Sequence, residues 1–100
     1  MLVRIADKNE VAVGEKKRFM VEGQAIMLAN VAGNFHAVGD ICTHQQASLS
    51  AGLLEGCEIE CPWHGAKFDV TTGKPTTLPA VLPLKKYPVT IEGEDILIEI

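Results

Sequence analysis

No stretch of the 100-residue chain approaches the ~20 consecutive apolar residues that a membrane helix requires. Its start, Met1 to Glu10, spaces Arg4, Asp7, Lys8 and Glu10 too closely for the apolar segment of a secretory signal. The expectation is a cytoplasmic protein with no membrane partner. Positive charge is sparse and scattered. Nine Lys and Arg against thirteen Asp and Glu leave −4 and no basic cluster, which excludes the usual footprint of a nucleic-acid binder. Cysteine is scarce and odd in number; three in a chain without an export signal argue against a disulfide framework and for ligand or catalytic roles. There is no internal repeat, low-complexity tract, linker or sustained helical stripe. Nor does any segment pair a nucleophile with an acid–base partner, so an enzyme is not expected. What is present, 47% hydrophobic and 22% charged residues, is the composition of one packed globular domain.

Apolar residues recur with period two in short runs, the strand signature. In Ile96-Leu97-Ile98-Glu99-Ile100 the isoleucines face one way and Leu97 with Glu99 the other. Arg18 to Glu22 and Ala25 to Ala29 flank Gly23-Gln24, and a turn signal from Asn30 to Asn34 precedes Phe35 to Val38, which predicts a three-stranded meander. Further strand candidates are Glu58 to Glu60, Lys67 to Val70, Tyr87 to Ile91 and the C-terminal run. The segment Gly73 to Pro83, rich in proline, reads as an ordered loop. The predicted class is all-β, an antiparallel sandwich or partly open barrel in which strands near the termini pair with the central ones.

The chemistry is carried by Cys42-Thr43-His44 and Cys61-Pro62-Trp63-His64, one thiolate and one imidazole in each of two segments. Each lies beside turn-formers, Asp40 before the first and Pro62 with Gly65 around the second, so two strand-end loops can converge on one centre. Two thiolates and two imidazoles suit tetrahedral zinc or an iron–sulfur cluster in which histidines replace two cysteines on one iron. Zinc spacings usually group the histidines together. Here each half mixes Cys with His and the first pair is separated by one residue, which favours the cluster.

These residues resemble the Rieske-type ferredoxins of multicomponent ring-hydroxylating dioxygenases. The likeness extends to Gly52-Leu53 with Gly56, to the run from Cys61 through His64-Gly65-Ala66-Lys67-Phe68-Asp69, and to Thr72-Gly73-Lys74-Pro75 followed by Leu78-Pro79-Ala80. Gln45-Gln46 stands where small residues are more familiar in that family. The resemblance implies a Rieske-type β-sandwich or barrel, one domain over 1–100 with a cluster-binding subdomain at about 40–83 within a β base. It implies one [2Fe–2S] cluster held by Cys42, His44, Cys61 and His64, with the cysteines on the inner iron, the histidines on the outer one, and Leu78-Pro79-Ala80 as a shielding third loop. The implied role is a monomeric one-electron carrier between a flavin-dependent ferredoxin reductase and a terminal oxygenase with a Rieske centre. The alternatives are a small Rieske-like subunit of a larger redox enzyme, such as assimilatory nitrite reductase, and a zinc-stabilised binding module.

Formal charge explains the ligand choice. Two ferric irons, two sulfides and two thiolates are neutral together, and one added electron makes the site singly negative; four thiolates would leave it triply negative, so neutral imidazoles raise the potential. High-potential relatives carry two bracing cysteines and two hydroxyl residues at positions that are here Ala47, Trp63, Ala66 and Phe68. The implied potential therefore lies low in the span of roughly −150 to +300 mV. Among the remaining residues, Cys57 reads as a structural thiol with apolar neighbours, and His36 as an exposed strand histidine. Trp63 reads as a cover for the cluster, and Glu55, Glu58 and Glu60 as a solvated face.

Overall fold

The computed structural model describes residues 1–42, 47–62, 65–77 and 82–100. Among these residues eleven strands form three antiparallel sheets. The first joins β1 (Leu2–Asp7), β11 (Asp95–Glu99) and β10 (Val89–Glu92), in that order. A second runs β2 (Lys16–Val21), β3 (Gln24–Val31), β4 (Asn34–Gly39), β9 (Lys86–Tyr87). The third runs β5 (Leu53–Glu55), β6 (Glu58–Glu60), β7 (Lys67–Asp69), β8 (Pro75–Thr77). Helix is confined, among the described residues, to single 3-10 turns at Lys8–Glu10 and Leu49–Ala51, and no helix is long and apolar enough to cross a membrane.

The second sheet is the middle layer, and its sequence shows why. Ile26, Leu28 and Ala37 face one core with Ala6, Ile96 and Ile98 of the first sheet, while Met27, Ala29 and Val38 face another with Ile59 and Phe68 of the third. A strand covered on both faces reads as continuous apolar sequence rather than as alternation; β3 is buried at five successive residues, Ile26 to Asn30. Asn30 is the polar member of that run, and its side-chain amide donates to the carbonyl of Val11 at 2.9 Å while its oxygen accepts from Gly33 N at 2.9 Å.

The predicted meander is β2-β3-β4, in continuous register from Lys16↔Ala29 to Val31↔Asn34. The termini behave differently from expectation: β1 and β11 pair with each other rather than with central strands. The strand expected over Tyr87 to Ile91 divides at Pro88, with Tyr87 opposite Ala37 in the second sheet and Val89 opposite Ile98 in the first. A residue without an N–H cannot continue a ladder, and Pro88 marks the step between sheets. Pro75–Thr77, expected within a loop, is a short edge strand that begins on its proline, where no ladder donor is lost.

Candidate metal centre

The two cysteine segments fold alike. Asp40 to Cys42 and Ala47 to Leu49 form a short antiparallel ladder: Leu49 N donates to Asp40 O at 2.6 Å, Ile41 bridges Ser48, and Cys42 N donates to Ala47 O at 2.9 Å. On the other side β6 and β7 pair from Glu58↔Asp69 to Glu60↔Lys67, and Cys61 N extends the ladder by donating to Ala66 O at 2.6 Å. Each cysteine is thus the last paired residue of its hairpin ladder, its N–H bonded to the carbonyl five residues on. Gly65 of the second hairpin takes the left-handed conformation, φ +71°. A third connection is pinned at its base, where Leu84 N donates to Gly73 O at 2.7 Å. The expected third loop, Leu78-Pro79-Ala80, together with His44, Gln45, Gln46, Trp63 and His64, lies outside the described residues.

Cys42 and Cys61 are each 1% exposed and lie in one buried cluster with Leu49, Ala66 and Phe68. Neither is in a disulfide. Two buried thiols in one cluster, each at the end of a ladder and each followed in sequence by a histidine two or three residues on, are a donor set that fits a mixed thiolate–imidazole centre. Ala66 and Phe68, fully buried, have no hydroxyl to donate to such a centre.

Close packing beneath the centre rests on two glycines. A Cβ on Gly52 would fall 1.7 Å from the carbonyl oxygen of Glu60, the residue before Cys61, although its φ of −87° suits any residue. Gly73 has φ +82°, and a Cβ there would fall 2.7 Å from Leu84 O. Sequence reading noticed both glycines but not what they approach. Asp40, seen only as a turn-former, is fully buried with its carboxylate engaged by Ser48, Ser50 and Arg18.

Three other residues, His36, Glu58 and Glu60, differ from expectation. His36 is half-buried rather than exposed and lines, with Lys8, Phe35, Val89 and Ile91, a cavity of about 400 Å³. Burial, and then the nearby charge of Lys86, holds its pKa below the ordinary 6.5. Cys57 occupies the Gly56-Cys57 turn of the β5–β6 hairpin, half-buried, and its carbonyl accepts from Val70 N at 2.8 Å. The Asp69 carboxyl is held below its usual range chiefly by the Thr71 hydroxyl at 2.6 Å, against the opposing effect of burial. Glu58 and Glu60 are half-buried, not solvated: Glu58 accepts from Thr76 at 2.6 Å, and Glu60 faces Lys67 at 3.9 Å.

Residues 1–88 match the Rieske [2Fe-2S] domain. The ferredoxin component of biphenyl 2,3-dioxygenase from Rhodococcus jostii (strain RHA1) is 41% identical over 99 residues, covering 99% of this chain and 92% of the relative. Among solved structures, the ferredoxin of carbazole 1,9a-dioxygenase from Nocardioides aromaticivorans IC177 superposes with a TM-score of 0.94 at 37% identity, covering 98% of this chain and 96% of the other. A chain from the complex of reduced oxygenase and oxidized ferredoxin in carbazole 1,9a-dioxygenase gives a TM-score of 0.91 at 33% identity, covering 97% and 91%. These near-full-length relatives are named as ferredoxins, which favours a carrier over a subunit of a larger redox enzyme. The chain belongs to the Rieske [2Fe-2S] domain family, as an electron-carrying ferredoxin with one cluster of that type rather than a catalyst.

Proposed function

We propose that Cys42, His44, Cys61 and His64 ligate the cluster, within a single domain whose cluster-binding part spans about 40–83. The observation that carries this reading is the pair of buried cysteines at equivalent positions of two hairpins, each closed by a Cys N–H to the carbonyl five residues on. The bound cluster supplies a one-electron couple. The chain's own residues do the rest. Leu49, Ile59, Phe68 and Leu84 close the inner side against water, and the ladders fix the direction from which each thiolate approaches. Each histidine follows its cysteine in sequence where the ladder ends, and the histidine-bearing end is the side from which an electron leaves.

The acceptor is a terminal oxygenase with a Rieske centre and the donor a flavin-dependent ferredoxin reductase, both met by a monomeric cytoplasmic carrier through that end. Exposed apolar side chains flank the loops there, Ile41 before the first and Leu82 after the third, as suits a small transient interface. Iron and acid-labile sulfide analysis should give two of each per chain. Cys42→Ala, Cys61→Ala, His44→Ala or His64→Ala should lose or destabilise the cluster, whereas His36→Ala should keep it. Cluster loss in His36→Ala, or full retention in Cys42→Ala, would overturn the ligand set. Substituting Gln46 or Pro79 should slow electron transfer to a partner without altering the visible spectrum; unaltered rates with both would count against this contact surface.

A further inference from the structure

We propose, on the reading of Cys42 as a ligand, that Asp40 is the positioning residue of the first ligand loop and that its ion pair with Arg18 helps set the reduction potential. Asp40 directly follows β4, two residues before Cys42, and is fully buried. Every polar group it has is used. Its N–H donates to Ala25 O of β3 at 3.0 Å, and its carbonyl accepts from Leu49 N at 2.6 Å. One carboxylate oxygen accepts from Ser50 N at 2.8 Å. The other accepts from the Ser48 hydroxyl and faces Arg18 Nε of β2 at 3.3 Å. One side chain therefore ties β2 and the returning limb, Ser48 to Ser50, to the residue from which the ligand hairpin departs.

A neutral side chain could brace the same ladder, and burying a charge is costly unless it is paired. The charge has a consequence at this place. Two residues of extended chain reach at most about 7 Å, so Asp40 lies beside the thiolate ligand. Its negative charge opposes electron addition, and the Arg18 guanidinium, 47% exposed and better screened, offsets only part of that. A unit charge about 10 Å away, at an effective dielectric of about 20, shifts a one-electron equilibrium roughly tenfold.

The test is the reduction potential of the cluster-loaded protein in three variants. Asp40→Asn keeps the shape and an acceptor for Ser50 N but removes the charge; it should favour the reduced state about tenfold, a rise of about 59 mV. Arg18→Gln, at an exposed position, should lower the potential by less than that. The double variant should lie between wild type and Asp40→Asn. A merely structural clamp would move both single variants in the same direction, through loosening of the loop, and that result, or no movement in either, would overturn the proposal. If Asp40→Asn does not fold, Arg18→Gln still decides, because an unchanged or raised potential refutes the charge effect. Amide exchange at Leu49 and Ser50 should quicken in Asp40→Asn; unchanged exchange would refute the positioning role. Retention of iron and sulfide by Cys42→Ala would instead defeat the ligand reading, whatever the potentials.

Discussion

Gly52→Ala should be among the most damaging single-methyl additions available to this chain, and the reason is contact rather than backbone conformation. Gly52 has an ordinary φ of −87°, so alanine carries no torsional penalty there. The added carbon, however, lies 1.7 Å from the carbonyl oxygen of Glu60 and 2.9 Å from its carbonyl carbon, with Leu49 O at 3.3 Å. Non-bonded heavy atoms rest at about 3.5 Å, so the backbone at Gly52 and Glu60 must separate by about 1.8 Å. That displaces the residue before Cys61 and strains the β5–β6 pair at Leu53↔Glu60. Overpacking against backbone that cannot swing aside should cost about 3 kcal/mol, the upper part of its usual range. For a domain of this size the loss lowers Tm by about 12–24 °C. Thermal unfolding followed by far-ultraviolet circular dichroism, with visible absorbance as a parallel record of cluster retention, measures both effects. Gly56→Ala is the control: its φ is +60° but nothing lies within 4 Å of the added carbon, so the cost should be only the left-handed penalty of about 1 kcal/mol. A Gly52→Ala protein with wild-type Tm and colour, or one less damaged than Gly56→Ala, would refute the close-approach reasoning.

Ala66→Ser combined with Phe68→Tyr should raise the potential if the new hydroxyls reach the sulfurs, since both positions share the buried cluster of Cys42 and Cys61; each hydrogen bond to charged sulfur is worth about 1.5–3 kcal/mol before relaxation, and an unchanged potential in a protein that keeps its spectrum would contradict this. His36, with its pKa held below 6.5, binds its proton more weakly folded than unfolded, so stability should fall as pH drops below about 6.5. Denaturant titrations across that range should show the decline shrinking in His36→Gln, and an identical pH dependence would refute the assignment. Phe68→Ala should cost about 3–5 kcal/mol, as expected for a fully buried ring, and chemical denaturation would expose a smaller loss as a sign of collapse around the site.

The parts of this protein legible in its sequence are those written in short-range patterns. Alternation and turn residues gave the β2-β3-β4 meander, and Cys-x-His with Cys-x-x-His gave the candidate ligands. Strand β1 escaped because its pairing with β11 shifts between Arg4 and Ala6, and a bulge breaks period-two alternation. The division at Pro88 escaped because both halves look like strand, and only the partner sheets distinguish them. Pairing of the two chain ends is a long-range fact that no local pattern encodes. At the site, the cysteines announced themselves by spacing, whereas Asp40 and Gly52 did not. Their importance lies in Arg18, Ser48, Ser50 and Glu60, residues brought to them only by folding.

Pulsed electron paramagnetic resonance of the reduced protein, with histidine labelled by nitrogen-15, tests the central claim most directly. The ligand set predicts two histidine nitrogens strongly coupled to the cluster, one of them lost or altered in each of His44→Ala and His64→Ala wherever a cluster remains, and both unchanged in His36→Ala. Coupling to one histidine or none in the wild-type protein would contradict it.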